Sequence, residues 1–351
     1  METKATFTYN GQTHALSDQS AWEGTPIAQF METWYDGESY VIGHTSGSTG
    51  IPKKIMLDKK AMEASAQLTN QHFGLTEGKS ILLCLSTDYI AGKMVVVRAL
   101  TGNLRLIVAD TKSLPEWEGH IDFAALVPMQ VEALLHHNAE SKKRLSEIGT
   151  IIIGGSPLSE SLQKELIEAG CKSAYTTYGM TETLSHVAVA KITGDGKLSY
   201  HALKGIKFDT DDRGCLVIHA PHIQKAPFKT NDIVDLADGQ SFTWKGRWDN
   251  VVNSGGIKLF PESIEKKINH LIDSRFYLIG EQDERLGSQL VLKIEGIEPA
   301  REKVEQLKAE IAKCVEKYER PKRIDFVSQF EETRTGKIKR TSAPQKKCST
   351  K

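Results

Sequence analysis

The sequence predicts an α/β protein: a large N-terminal domain of layered α/β subdomains plus a small β subdomain, then a small α+β C-terminal domain. Three observations carry this. Apolar runs alternate with helical patterns from about residue 59 to 190, short alternating strands fill 187–245, and a mixed pattern resumes after Gly246. Alternation of the first kind favours a largely parallel sheet, whose ligands bind beyond the carboxyl ends of the strands.

The elements follow in order. Tyr40-Val41-Ile42 is an apolar strand leading into residues 45–55, and a helical pattern begins at Lys59. Strands are expected at Ile81–Leu85, Leu104–Ala109, Phe123–Val127, Ile151–Ile153 and Ser173–Thr177. Helices fall between them at Ile90–Leu100, Met129–His137 and Leu158–Ala169, the last with Ser156-Pro157 as cap and first turn. Asp211-Asp212-Arg213-Gly214 and Ala237-Asp238-Gly239 read as hairpin turns of the β subdomain. Pro261 starts a helix with Ile264, Ile268 and Leu271 on one face; strands follow at Phe276–Gly280 and Gln289–Ile294. Val304–Tyr318 is helical, with Val304, Leu307, Ile311 and Val315 inward. The expected domains are 1–248 and 249–351, and no internal repeat is visible.

Bulk properties narrow the class. A chain of 351 residues suits two domains and a sizeable core. Its 45 basic and 45 acidic residues cancel, so nothing global favours a nucleic acid or an anionic membrane. The N-terminus lacks the apolar core of a signal peptide, and no run approaches a membrane span. Five dispersed cysteines (Cys84, Cys171, Cys215, Cys314, Cys348) without C-x-x-C spacing fit reduced thiols. A cytoplasmic protein is expected. The last nineteen residues hold seven Lys/Arg and no acid, and 341–351 reads as a solvated tail.

Residues 45–55, Thr-Ser-Gly-Ser-Thr-Gly-Ile-Pro-Lys-Lys-Ile, are the most informative stretch. Backbone and hydroxyl donors from Thr45, Ser46, Gly47, Ser48, Thr49 and Gly50 can cradle phosphate oxygens, with charge from Lys53. It is not the Walker sequence, because Ile51 and Pro52 separate Gly50 from Lys53. Gly154-Gly155-Ser156-Pro157 follows a strand and offers bare backbone to a flat ligand. In Tyr178-Gly179-Met180-Thr181-Glu182-Thr183, Tyr178 can stack, Thr181 can bond phosphate and Glu182 can hold Mg²⁺. Asp232, in Thr230-Asn231-Asp232, can accept from ribose hydroxyls. Lys337, in Thr333-Arg334-Thr335-Gly336-Lys337-Ile338-Lys339-Arg340, can meet charge developing on a phosphoryl centre. Taken singly, these are also turns, caps or a solvated tail. Their fixed order at successive loops, with Gly246-Arg247-Trp248-Asp249-Asn250 and Ser254-Gly255-Gly256-Ile257-Lys258, argues for one site.

This set resembles the adenylate-forming superfamily of acyl- and aryl-CoA synthetases, luciferases and peptide-synthetase adenylation domains, from Tyr40 through Arg340. The resemblance implies that Thr45–Lys53 holds the ATP β- and γ-phosphates. It implies adenine and α-phosphate contacts from Tyr178, Gly179 and Thr181, with Gly155 and Ser156 beside the base and Mg²⁺ on Glu182. Asp232 and Arg247 would bind ribose, Asp249 would be a hinge, and Lys337 would be the adenylation lysine. Gly255, Gly256 and Lys258 would serve a coenzyme A step after the mobile C-terminal domain swings. Three features depart from the pattern. Asn231 replaces a glycine, Asn250 replaces a common second aspartate, and the phosphate loop lies unusually near the N-terminus, leaving residues 1–39 to supply an edge strand and a helix.

The implied reaction joins a carboxylic acid to ATP as an acyl-adenylate, then transfers the acyl group to CoA. Among ligases, the short length, Ser254–Glu262 and Asp88-Tyr89-Ile90-Ala91-Gly92-Lys93 look most like the o-succinylbenzoate–CoA ligases of menaquinone synthesis, with Tyr89 where those commonly have His. A dicarboxylate needs a cation for its spare carboxylate, and Lys93, Arg98 and His186 are the candidates. The alternatives are another aryl or short-chain acyl–CoA ligase, a carrier-loading adenylation domain and a non-catalytic nucleotide-binding module. A homodimer is the family habit.

Overall fold

The computed structural model describes residues 3–44, 54–332 and 338–341. Among these, the central feature is a continuous sheet of thirteen strands. Its parallel part runs, in spatial order, Ala174–Gly179, Thr150–Ile153, Phe123–Leu126, Ser80–Leu83, Arg105–Val108, Thr6–Tyr9. From Ser80–Leu83 the chain crosses through the helix Ile90–Gly102 to Arg105–Val108, then returns to lay Phe123–Leu126 on the other side. That reversal opens a crevice at the carboxyl ends of the strands.

The inner strands Ser80–Leu83, Phe123–Leu126 and Thr150–Ile153 are almost wholly apolar because both their faces are covered. Ile81, Leu83, Phe123, Ala125 and Ile152 join a core with the helices Lys59–Phe73 and Ile90–Gly102. Leu82, Ala124, Leu126, Ile151 and Ile153 join the opposite core with Val131, Leu134, Leu145, Leu162 and Leu166. Alternate residues thus point to opposite layers, as the pleat requires. Residues Thr6–Tyr9 and Gln12–Ala15 form the edge hairpin, and Ala28–Trp34 is the early helix. The N-terminal segment therefore supplies one strand more than expected.

The expected β subdomain has its own core around Phe208, Leu216, Ile218 and Phe242. It is nonetheless continuous with the main sheet: His186–Lys191 pairs antiparallel with Ala174–Gly179, and the order runs on to Lys207–Thr210. A second, five-stranded sheet begins at Val252 and carries the helices Pro261–Ile268 and Arg301–Cys314 on a separate core.

Three expectations need correcting. The helix after Gly154 begins at Glu160, because Ser159 rather than Ser156 caps it by accepting from the Leu162 amide at 3.2 Å. The helix from Pro261 ends at Ile268, leaving Leu271 in a 3₁₀ turn. The last long helix spans Arg301–Cys314, since Val315 is already extended. The polar helix Ala139–Ser146, capped by Asn138, was not expected.

At the amino ends of the strands, Asp122 accepts from the Ser80 amide (2.8 Å), the Ser80 hydroxyl (2.9 Å) and Lys79 Nζ (2.8 Å). Burial pushes its carboxyl up, but these donors outweigh burial and hold it at about 2. A depressed acid stabilises the fold above its unfolded value near 4, and that contribution disappears as pH falls through about 2. Asp122→Ala is expected to cost about 1–2 kcal/mol at pH 7 after allowance for solvent screening. The deficit relative to wild type should shrink between about pH 4 and pH 2 in urea titrations.

Candidate active site

The loops that follow four of the parallel strands, at residues 84–89, 127, 154–159 and 180–185, meet the carboxyl edge of the sheet. Gly154, Gly155 and Ser156 lie there directly after Thr150–Ile153, with Gly155 and Ser156 exposed. Thr177 beside them donates from Oγ1 to the Ile153 carbonyl at 3.3 Å.

The strand Ala174–Gly179 delivers Tyr178 and Gly179. Gly179 pairs with His186, and a Cβ there would lie 2.5 Å from the Ser185 carbonyl, so only glycine fits this closure. The following turn is built inward on Thr183, which is fully buried. Its hydroxyl accepts from the Met180 amide (3.0 Å) and shares its proton between the carbonyls of Met180 (3.0 Å) and Ser185 (2.9 Å). Leu184, buried at φ +63°, completes the turn in a conformation disfavoured for a branched side chain. Thr181 and Glu182 are thereby presented outward, and Glu182 is exposed, with no hydrogen-bond or ion-pair partner among the described residues. Those residues hold no cluster of three His, Cys, Asp or Glu suited to a metal. A lone carboxylate suits Mg²⁺ that takes its other ligands from phosphates and water.

Asp232 is the hub of the site. It is buried, and it accepts from Tyr178 Oη (2.7 Å), Trp244 Nε1 (3.2 Å) and Arg247 Nη1 (3.3 Å). Asp232 and Arg247 face each other across the pair Phe228–Asp238 and Ser241–Arg247. Burial, then the Asp232 charge, pushes the Tyr178 phenol far above its usual range, so it stays a donor. Burial works against the Arg247 cation, but Asp232 and Asp249 raise its pKa nonetheless. Tyr178 packs edge-on against Tyr200 and Phe242. Its ring orientation is therefore set by packing and its hydroxyl by Asp232.

Asp249 continues this network: Arg247 Nη2 donates to it at 3.3 Å, as does Asn231 Nδ2. Asn231 in turn accepts from Arg213 Nη1 at 3.0 Å. The asparagine at the glycine position thus links Asp249 to Arg213, which a glycine cannot do. The Trp248 ring lies between Arg213 (5.6 Å) and Lys258 Nζ (5.0 Å). Gly255 and Gly256 form the tight turn between Val252–Ser254 and Ile257–Leu259. Lys258 is thereby joined to the Asp249 neighbourhood. Thr45, Ser46, Gly47, Ser48, Thr49, Gly50, Lys53 and Lys337 lie outside the described residues.

The three candidate cations separate clearly. Lys93 donates to the Thr87 carbonyl at 2.5 Å and lies 5.2 Å from the Phe30 ring, which ties down residues 84–89. His186 is buried; burial, then Arg98 and His72, lower its pKa well below the usual value and keep it neutral. Arg98 is 2 % exposed and donates from Nη2 to Ser185 Oγ at 2.6 Å. No acid among the described residues pairs with it, and its Nε is buried without a partner. Burial lowers its pKa to about 10, so it remains a cation at neutral pH. An uncompensated guanidinium thus lies directly behind the turn that presents Thr181 and Glu182. Trp244, Thr183 and Ser185 are the site residues that sequence reasoning missed. The Trp244 indole and the hydroxyls after Glu182 were visible, but not which partners they would meet.

A family model described as AMP-binding enzyme matches residues 5–207. The 2-succinylbenzoate–CoA ligase of Enterococcus faecalis is 27% identical over 93% of this chain and 71% of its own length. The probable 2-succinylbenzoate–CoA ligase of Mycobacterium tuberculosis is 27% identical over 88% of this chain and 84% of its own length. Among solved structures, an acyl-CoA synthetase (AMP-forming)/AMP-acid ligase II-like protein from Dyadobacter fermentans is 36% identical. Its TM-score is 0.60, covering 89% of this chain and 91% of that one. The o-succinylbenzoate CoA synthetase of Bacillus subtilis, in complex with its acyl-adenylate intermediate, shares the fold at 18% identity. There the TM-score is 0.74, covering 87% of this chain and 69% of that one.

Thr183→Val, which keeps the shape but removes the hydroxyl, is expected to cost about 1–3 kcal/mol because the Met180 amide loses its partner in a buried turn. Thr183→Ser is expected to stay near wild type. Thermal unfolding with and without Mg·ATP checks both: the valine variant should also lose much of the stabilisation by nucleotide.

Proposed function

We propose, from the premise that this chain belongs to the AMP-binding enzyme family, that it is an ATP-dependent carboxylate–CoA ligase acting on o-succinylbenzoate. Relatives that carry this activity in their names cover most of the chain and support the reading. The observation that carries the choice of acid is Arg98, a buried cation with no acid of its own among the described residues. A substrate with a second carboxylate would supply the missing counter-charge.

The chemistry runs in two halves. A carboxylate oxygen attacks the α-phosphorus of ATP, the bond to the bridging oxygen of the β-phosphate breaks, and pyrophosphate leaves. The CoA sulfur then attacks the acyl carbon, AMP leaves, and the thiol proton passes to solvent. Asp232 has already met three donors, yet a carboxylate offers about four lone-pair sites, so room remains for a ribose hydroxyl. We assign adenine to the face formed by Tyr178 and the Gly155-Ser156 loop, and the α-phosphate to Thr181. Mg²⁺ on Glu182 would neutralise phosphate charge when bound. Thr45–Lys53 and Lys337 keep their assigned roles on the β- and γ-phosphates and at the α-phosphate.

We place the domain junction at Trp248–Asn250, with Asp249 as the hinge and Gly255, Gly256 and Lys258 on the face used for thioester formation. The chain is assigned to the cytoplasm, where ATP and CoA meet; its four described cysteines are free, as reducing conditions require. No helix of the described residues is long and apolar enough to cross a membrane. Two copies per particle would follow the family habit.

Exchange of labelled pyrophosphate into ATP, screened over a panel of acids with and without CoA, tests the reading. The expected result is exchange with o-succinylbenzoate and thioester only when CoA is added. Activity confined to an aryl or short-chain monocarboxylate would name a different acid, and no exchange with any acid would end the proposal. Arg98→Met is expected to raise KM for the dicarboxylate by about tenfold to a hundredfold, the range for a charged hydrogen bond. A monocarboxylate analogue should be little affected. Lys337→Ala is expected to abolish adenylate formation yet still make thioester from supplied acyl-adenylate, as separate assays of the half-reactions would show.

A further inference from the structure

The small module meets the large sheet through the helix Pro261–Ile268. Ser263 Oγ donates to the Lys245 carbonyl at 2.6 Å, and Lys266 Nζ donates to the Gly196 carbonyl at 2.5 Å. Lys266 also approaches Glu160 at 3.6 Å, where both side chains are half exposed. These are side-chain donors on large-domain backbone oxygens.

Glu262 sits in the middle of this seam. Its side chain is 10% exposed, and Oε1 accepts from Asn250 Nδ2 at 2.5 Å. Its other oxygen, Oε2, is buried and has no hydrogen-bond partner among the described residues. That oxygen faces Gly246 on the last strand of the large sheet, where a Cβ would come within 2.6 Å of it. Arg340 Nη2 lies 3.8 Å from Oε1, not Oε2, and the guanidinium is already clamped by both oxygens of Glu265, at 2.6 and 2.8 Å. A carboxylate pressed against bare backbone with one oxygen unpartnered destabilises the docked arrangement that buries it.

We infer that Glu262 is a positioning residue that keeps the seam between the small module and the large sheet weak enough to open between the two half-reactions. In the observed orientation the carboxylate is only half satisfied, and undocking from Gly246 opens it to water. Ser263 and Lys266 oppose this by holding the helix down. The balance keeps both orientations within thermal reach, as a two-step reaction on one active site requires. This inference rests on the ligase reading for its purpose, but not for its geometry.

The test compares wild type with Glu262→Gln, Ser263→Ala and the double variant. Spectroscopic labels on the two modules report their distance distribution, and the two half-reactions are assayed separately. Glu262→Gln keeps an acceptor for Asn250 and removes the buried charge. It is expected to enrich the docked distance and to shift the ratio of the half-reaction rates by about tenfold, with Tm equal to or above wild type. Ser263→Ala should shift the distances the other way, and the double variant should return towards wild type. An unchanged distance distribution, equal effects on both half-reactions, or a lower Tm for Glu262→Gln would overturn the inference. The distances are read without turnover, so a wild type that exchanges pyrophosphate with no acid would count against the ligase reading alone.

Discussion

A single buried carboxylate connects the parts of this molecule that must act together. Asp232 lies on the antiparallel extension of the sheet, yet it is held by Tyr178 from the end of the parallel block and by Arg247 from the strand that leads to the second module. Loss of any one donor would leave the carboxylate less well satisfied in a site largely removed from water, at a cost of about 1–3 kcal/mol. The register between Phe228–Asp238 and Ser241–Arg247 is therefore fixed by charge as well as by backbone pairing. Through Arg247 the same carboxylate reaches Asp249, so Tyr178 and the Trp248–Asn250 junction share one network.

Arg98 is the opposite case. Lys293 and Arg340, two other cations held inside the described structure, are both paired with acids. Lys293 is held between Glu281 (2.7 Å) and Asp325 (2.6 Å), and Arg323 closes that square from the other side. Arg340 is clamped by Glu265. Arg98 alone among these has one hydroxyl and an orphaned Nε. A packed apolar residue would fit a helix buried on nearly every side at less cost. The expense is reasonable if the counter-charge arrives with the substrate, and the neutral state of neighbouring His186 keeps a second cation from competing for it.

Much of this was legible in the chain. Strands buried on both faces announce themselves as unbroken apolar runs, and Ile151–Ile153 or Phe123–Leu126 admit few other readings. The loop bearing Gly154-Gly155-Ser156 was placed correctly, whereas the next strand was expected to end at Thr177 and runs on to Gly179, because Tyr178 and Gly179 pair with Ala188 and His186. Helix starts were less legible: Ser156-Pro157 and Ser159-Glu160 are both good caps, and only the geometry of the preceding turn selects the second. The helix Ala139–Ser146 is too polar to show a strong stripe, since Leu145 is its one buried side chain. Least legible were the partnerships. Nothing in the string says that Asn231 will bridge Arg213 to Asp249, or that of Lys93, Arg98 and His186 only Arg98 is a fully buried cation with no acid paired to it among the described residues.

Stiffness and weakness are distributed in a way that suits a moving part. The second module has its own core and binds its strands with the Lys293–Glu281–Arg323–Asp325 square, while Arg275 ties Glu295 to Glu332. Glu265, pushed up by burial despite Arg340, shows how dry the base of that module is. Its attachment to the large sheet is built differently, from Ser263 and Lys266 on carbonyl oxygens and Lys258 on an indole face. Each such contact is worth roughly 1 kcal/mol net, far less than the module's internal burial. A body that is rigid within and loosely held at its edge is built to move as a unit, which is what the proposed swing about Asp249 requires. The neutral amides of Asn231 and Asn250 add to the ion pairs that Arg247 and Arg340 make with Asp249 and Glu262, and their hydrogen bonds, like an exposed ion pair, can be exchanged for water at little net cost.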